Sequence, residues 1–181
     1  MYRLIIFDAD GTLRCCTVPG QVCPNADNQW ELLPNVKEKL SEIDWGSPGL
    51  GRIAFSIASN QAGIPKGYLT AETARRLLMD TAEAALGFRP IEDSIRFCPH
   101  GKYDGCACRK PGSLMLEQLM EFWEVEPEET LFVGDMESDR QASEKAGCDF
   151  QWARDFFDKT ILGQDDYPPP PPLSSELFGE V

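Results

Sequence analysis

Three short apolar runs, Leu4-Ile-Ile-Phe7, Ile53-Ala-Phe-Ser-Ile-Ala58 and Leu131-Phe-Val133, each stop abruptly at polar residues: Asp8, Ser59-Asn60 and Gly134-Asp135. Continuous runs of this length predict strands buried on both faces, which is how strands of a parallel sheet read. Parallel neighbours need long crossovers, and helical stretches lie where crossovers are required. They are Val36 to Ile43, Ala71 to Leu86 behind a Thr70 cap, Leu114 to Trp123, and Ser138 to Ala146 closed by Gly147. Ser94 to Cys98 and Asp149 to Ala153 are further strand candidates, which brings the sheet to about five strands, a common size. Strand and helix alternate, so the expected class is α/β.

A chain of 181 residues suits a single core. The predicted division is a domain over 1–163 and a tail over 164–181, where Asp165-Asp-Tyr leads into Pro168 to Pro172. Five consecutive prolines predict a stiff polyproline II arm outside the core, read as a surface tail whose partner is unassigned. A net charge of -13 disfavours nucleic acid and anionic membrane as non-specific partners. Leu4 to Phe7 is too short for a signal-peptide core, and no apolar stretch is long enough to span a bilayer, so the expected location is cytoplasmic. In that reducing compartment seven cysteines read as metal ligands and packing residues before disulfides.

Ligands of open α/β sheets bind beyond the carboxyl ends of the strands, so the residues that end the apolar runs are the candidate site. Asp8-Ala-Asp10-Gly-Thr12 follows the first run, and a side-chain period of two sends Asp8 and Asp10 to one side with Ala9 to the other. Two carboxylates that close repel unless a cation intervenes, and hard oxygen ligands suit Mg²⁺. Gly134-Asp135-Met-Glu-Ser-Asp139 brings a second acidic loop, while Ser59-Asn60-Gln61 and Arg109-Lys110 bring donors and cations for an anion. Acids for a metal beside cations for an anion suit phosphoryl transfer. Two other patterns fail on context. The Asp8-Ala-Asp-Gly run has Pro19 where an EF-hand needs its last glutamate, and Gly49-Leu-Gly-Arg-Ile-Ala54 precedes a strand where a dinucleotide fingerprint should follow one.

Cys98-x-His100, five further residues, then Cys106-x-Cys108 supply three thiolates and an imidazole, a complete set for tetrahedral Zn²⁺. A closed four-ligand site leaves no position for water, so the expected role is structural. Cys15, Cys16, Cys23 and Cys148 fall outside the pattern and read as packing residues or unligated thiols.

Asp8-Ala-Asp-Gly-Thr12, Ser59-Asn60, Lys110-Pro111 and Gly134-Asp135 with Asp139 occur in that order, and together they resemble the haloacid dehalogenase superfamily of phosphohydrolases. The Cys-Pro-His and Cys-Ala-Cys-Arg-Lys-Pro segment is similar to the branch holding D-glycero-D-manno-heptose 1,7-bisphosphate and histidinol-phosphate phosphatases. The resemblance implies a Rossmann-like, mainly parallel sheet flanked by helices, without a large cap domain, and a phosphomonoesterase acting on a small phosphorylated substrate. A nucleic-acid 3′-phosphatase is the alternative, and a non-catalytic zinc-loop binding module the more remote one. It also implies roles: Asp8 the nucleophile, Asp10 the acid and then the base, and Lys110 a contact to both Asp8 and the phosphoryl group. Thr12, Ser59 and Asn60 would bind phosphate and Arg109 would reach the substrate. Asp8, the carbonyl of Asp10 and Asp135 would hold Mg²⁺, with Asp139 supporting them. Two positions depart from the branch, which usually carries Arg between the aspartates and a basic residue after Gly-Asp. Here they are Ala9 and Met136, and the expected consequence is a pocket rim with fewer cations, less suited to a bisphosphate.

Overall fold

A computed structural model describes residues 1–157; the proline run and the 164–181 tail lie outside the described residues. Five strands form one parallel sheet: β1 (Leu4–Phe7), β4 (Ala54–Asn60), β5 (Ile95–Cys98), β6 (Thr130–Gly134) and β7 (Asp149–Trp152), in the order β5-β4-β1-β6-β7. The remaining pair, β2 (Arg14–Cys16) and β3 (Trp30–Leu32), is a separate antiparallel hairpin. β1 is central, in register with β4 from Leu4 opposite Ala54 and with β6 from Leu4 opposite Thr130. The chain leaves β1 for β4 on one side and later returns to β6 on the other, so the C-terminal end of β1 is the point where strand order reverses.

Alternation along each strand divides the core between the two faces of the sheet. Ile5, Phe7, Phe55, Ile57, Leu131 and Val133 pack on one face against α1 (Val36–Ser41), α2 (Ala71–Leu86) and α5 (Ala153–Phe156). Leu4, Ile6, Ala54, Ala58 and Phe132 pack on the other against α3 (Leu114–Trp123) and α4 (Glu137–Ala146). Burial of each large apolar side chain contributes roughly 1.5–3 kcal/mol, which is why four-residue strands this apolar hold their register. Thr70 caps α2 by accepting a hydrogen bond from the Thr73 amide, and Gly147 closes α4 at φ 76°, as the sequence predicts.

The sheet, its five strands and the four expected helices are all present, with shifts at the ends. β4 runs on to Asn60, so Ser59 and Asn60 belong to the strand and not to the loop after it. α1 stops at Ser41, and α4 starts at Glu137. The hairpin and α5 were not expected. No large cap domain interrupts the described residues. Among them, no helix is long and apolar enough to cross a membrane.

Candidate active site

The polar strand ends converge beyond β1. The Asp8 amide donates to the Val133 carbonyl, which carries the β1 to β6 ladder one residue past Phe7 and fixes where the Asp8 side chain starts. Asp8 is 6% exposed, and Lys110 Nζ lies 2.5 Å from its Oδ1 and 2.8 Å from Asp139 Oδ1. The Ala58 carbonyl accepts a third bond from the same ammonium at 2.8 Å. Burial alone would lower the Lys110 pKa; Asp139 and Asp8 outweigh it and hold the ammonium charged.

Lys110 reaches this point because its own backbone is pinned. Its amide donates to Asn60 Oδ1 at 3.0 Å, and its carbonyl accepts from Asn60 Nδ2 at 3.1 Å. Asn60 at the end of β4 thus holds the basic loop against the sheet, and these two bonds leave one of its amide hydrogens unused. Ser59 is buried and accepts from Gln61 Nε2 at 2.8 Å.

Carboxylate oxygens of Asp8, Asp135 and Asp139 all lie within 4.8 Å of one another. Gly11 lets Asp135 approach: its φ is +92°, and a Cβ there would stand 2.3 Å from Asp135 Oδ2. Thr12, fully buried, donates from Oγ1 to Asp135 Oδ1 at 3.2 Å. Asp139 sits at the start of α4 and accepts from the Met136 amide at 2.9 Å. Burial, then the Asp139 charge, pushes Asp135 up to about 6, against the opposing pull of Lys110. Asp8 is pushed well above the usual carboxylate range by burial, an effect that Lys110 offsets only in part and that Asp139, Asp135 and Asp10 reinforce. One ammonium therefore faces three clustered carboxylates. That excess of buried negative charge, on oxygen ligands, fits a hard divalent cation such as Mg²⁺.

Asp10 is held differently. Arg14 Nε donates to its Oδ1 at 2.8 Å, and Gln61 Nε2 donates to its Oδ2 at 3.1 Å. Residue type alone does not single out Arg14, because an arginine beside a turn reads as a surface residue; its signal, spacing of four from Asp10, has meaning only once the turn is seen. Ala9 points the other way and is fully buried in the core. This corrects the expected depletion of cations at the pocket rim: position 9 faces the core, so only Met136, 37% exposed, bears on it.

Cys98, His100, Cys106 and Cys108 also gather within 4.8 Å of one another. The Cys98 sulfur lies 3.6 Å from that of Cys106 and 3.3 Å from that of Cys108, and His100 Nδ1 lies 3.2 Å from Cys108 Sγ and 3.5 Å from Cys98 Sγ. Zinc–sulfur bonds of about 2.3 Å at tetrahedral angles set sulfurs about 3.8 Å apart, so the edges of the cluster approach those of a zinc site. The four residues therefore fit Zn²⁺. All seven cysteines are free, and burial pushes the Cys98 thiol up to about 12, a cost that a bound cation would offset. Arg109 Nη1 donates to the His100 carbonyl at 3.1 Å, which ties the residue before Lys110 to this cluster. Cys148 is buried in the core, while Cys15, Cys16 and Cys23 are partly buried near the hairpin, apart from the cluster.

Known phosphatases resemble this chain over most of its length. The family described as polynucleotide kinase 3 phosphatase matches residues 3–162. A D-glycero-beta-D-manno-heptose-1,7-bisphosphate 7-phosphatase of Bordetella bronchiseptica is 30% identical over 149 residues, covering 81% of this chain and 77% of its own. The enzyme of that name from Pseudomonas aeruginosa is 32% identical over 148 residues, covering 80% and 77%. Among solved structures, D,D-heptose 1.7-bisphosphate phosphatase from B. bronchiseptica, complexed with magnesium and phosphate, aligns with a TM-score of 0.66 at 29% identity, covering 83% of this chain and 79% of that one. The chain belongs to the polynucleotide kinase 3 phosphatase family, and it is a phosphatase of the haloacid dehalogenase superfamily, in the branch of the heptose bisphosphate phosphatases.

Proposed function

We propose that this protein is a Mg²⁺-dependent phosphomonoesterase that works through an aspartyl-phosphate on Asp8 and acts on a small phosphorylated metabolite such as a sugar phosphate. The observation that carries the reading is Asp8 itself: a buried carboxylate at the end of the central strand, paired with Lys110 and clustered with Asp135 and Asp139. An Asp8 oxygen attacks phosphorus while Asp10 gives a proton to the departing alkoxide and the phosphorus–oxygen bond to it breaks. Asp10, now a carboxylate, takes a proton from the water that attacks the same phosphorus, and phosphate leaves Asp8. Lys110 stabilises charge on the phosphoryl oxygens in both halves. Ser59 and the unused amide hydrogen of Asn60 bind the phosphate; Thr12 contributes through Asp135, to which its hydroxyl is bonded.

Asp8, the Asp10 carbonyl and Asp135 would hold Mg²⁺, whose charge offsets that of the nucleophile and the phosphate when they meet. Asp139 supports this set through Lys110. The Cys98, His100, Cys106 and Cys108 cluster would hold a structural Zn²⁺ that fixes the loop carrying Arg109, which reaches the substrate, and Lys110. Free thiols on such a cluster suit the reducing cytoplasm.

The relatives named for heptose bisphosphate support a sugar phosphate, while the name of the family supports a 3′-phosphorylated nucleic acid as the second reading. The net charge of -13 favours the first. Phosphate release from heptose bisphosphate, histidinol phosphate and a 3′-phosphorylated oligonucleotide, each with and without Mg²⁺, tests both. A sugar phosphate turned over fastest, and only with Mg²⁺, is the expected result; preference for the oligonucleotide would overturn the substrate class.

A further inference from the structure

Arg14 heads the largest fully buried side chains, with none of its surface exposed. A tight turn puts it there: the amides of Leu13 and Arg14 both donate to the Ala9 carbonyl, and the Gly11 amide donates to the Arg14 carbonyl, which folds the chain back under Asp10. Its guanidinium then spends its donors on two elements. Nε lies 2.8 Å from Asp10 Oδ1 and Nη2 3.5 Å from Oδ2. Nη1 donates to the Leu77 carbonyl at 3.0 Å and to Thr81 Oγ1 at 2.9 Å, both on α2. The Trp30 ring lies 6.0 Å from the guanidinium carbon. Asp10 is thus bolted through Arg14 to a long helix, and Gln61, itself buried, closes the other side by donating to Oδ2.

A buried ion pair is a poor way to gain stability, since an apolar pair of equal volume often does as well. Its place beside a proton-transferring group calls for another explanation. Arg14 cannot touch a substrate, because none of it reaches the surface. Each carboxylate oxygen has two acceptor sites, so the donors that fix the plane of Asp10 leave lone pairs for the proton it must carry. Holding such a group within a few tenths of an ångström of its working position is worth orders of magnitude in rate.

We infer that Arg14, anchored by Thr81 and Leu77 on α2, is a positioning residue that holds Asp10 in place for proton transfer to the leaving group and from water. The inference rests on the proposed role of Asp10 and is separable from it. p-Nitrophenyl phosphate has a leaving group that departs without a proton, whereas glycerol 2-phosphate needs one, and a phosphoenzyme formed from either needs Asp10 as base. In Arg14→Met the first turnover of glycerol 2-phosphate should slow at least tenfold more than that of p-nitrophenyl phosphate. The latter should show a burst of about one p-nitrophenol per site followed by a slowed steady state. Thr81→Val, which removes one of the two Nη1 acceptors without touching Asp10 or the pocket, should shift the same ratio in the same direction by about two- to fivefold, and it decides the matter if Arg14→Met does not fold. Equal losses on the two substrates, or no loss on either, would overturn the inference. Asp10→Asn run alongside separates the failures: a leaving-group split in Asp10→Asn but not in the Arg14 and Thr81 variants sinks only the positioning role, and no split in Asp10→Asn sinks the role of Asp10 as well.

Discussion

Lys110 Nζ lies 2.5 Å from Asp8 Oδ1, joining residues 102 apart in sequence into one buried pair. The same ammonium serves Asp139, and Asp135 completes a cluster in which carboxylates outnumber the cation. Burial raises Asp135 to about 6 and Asp8 well above its usual range. A carboxyl raised on folding stays protonated where the unfolded chain has already ionised. Its contribution to stability is therefore present below the unfolded pKa near 4 and is lost as pH climbs through the folded value, about 6 for Asp135. Metal-free protein should lose thermal stability over that interval. A Mg²⁺ held here would bind the ionised carboxylates, so its stabilising effect should be small near about pH 5 and large near about pH 7.5. Melting curves with and without Mg²⁺ at both values check this; an equal Mg²⁺ effect at the two would contradict it.

Gly11 gives a second handle on the same carboxylates. A methyl group there would meet Asp135 Oδ2 at 2.3 Å, at a φ of +92° that side chains rarely adopt. Gly11→Ala should displace Asp135 and weaken Mg²⁺ binding about tenfold, equal to about 1.4 kcal/mol, which lies in the common range for one substitution. Titration calorimetry with Mg²⁺ measures it, and unchanged affinity would mean that Asp135 is not a ligand.

For the thiol cluster, purified protein should carry about one zinc per chain. Cys106→Ser should lower the zinc content and cost about 3 kcal/mol, which for a domain of this size is ~6–12 °C in Tm. Metal analysis and melting of the variant decide it; full zinc occupancy with unchanged Tm would remove the structural role.

Much of this site was legible because its residues sit where strands end. Buried parallel strands are apolar throughout, so the first polar residue after each run is conspicuous, and Asp8, Asp135 and Lys110 were found that way or through their neighbours. The cysteine cluster announced itself by ligand type and spacing. The hairpin did not, because Arg14–Cys16 and Trp30–Leu32 are three-residue strands, too short to show a period of two. Arg14 was missed for a related reason: a charged residue is expected outside unless its partner is known, and the partner lies across a turn whose geometry no residue type reveals. Asn60 reads as a phosphate donor from its amide and its place after an apolar run; its pairing with the backbone of Lys110 depends on a contact 50 residues away.

The proposed mechanism requires that Asp8 become phosphorylated. Rapid mixing of the Mg²⁺-loaded protein with p-nitrophenyl phosphate, quenching in acid and mapping the phosphoryl group by mass spectrometry, measures this directly. The expected result is one acid-stable, hydroxylamine-labile phosphoryl group on the peptide containing Asp8, absent in Asp8→Asn together with at least about a thousandfold of the activity, the scale seen when a nucleophile is removed. Asp8→Asn retaining wild-type turnover would contradict the account.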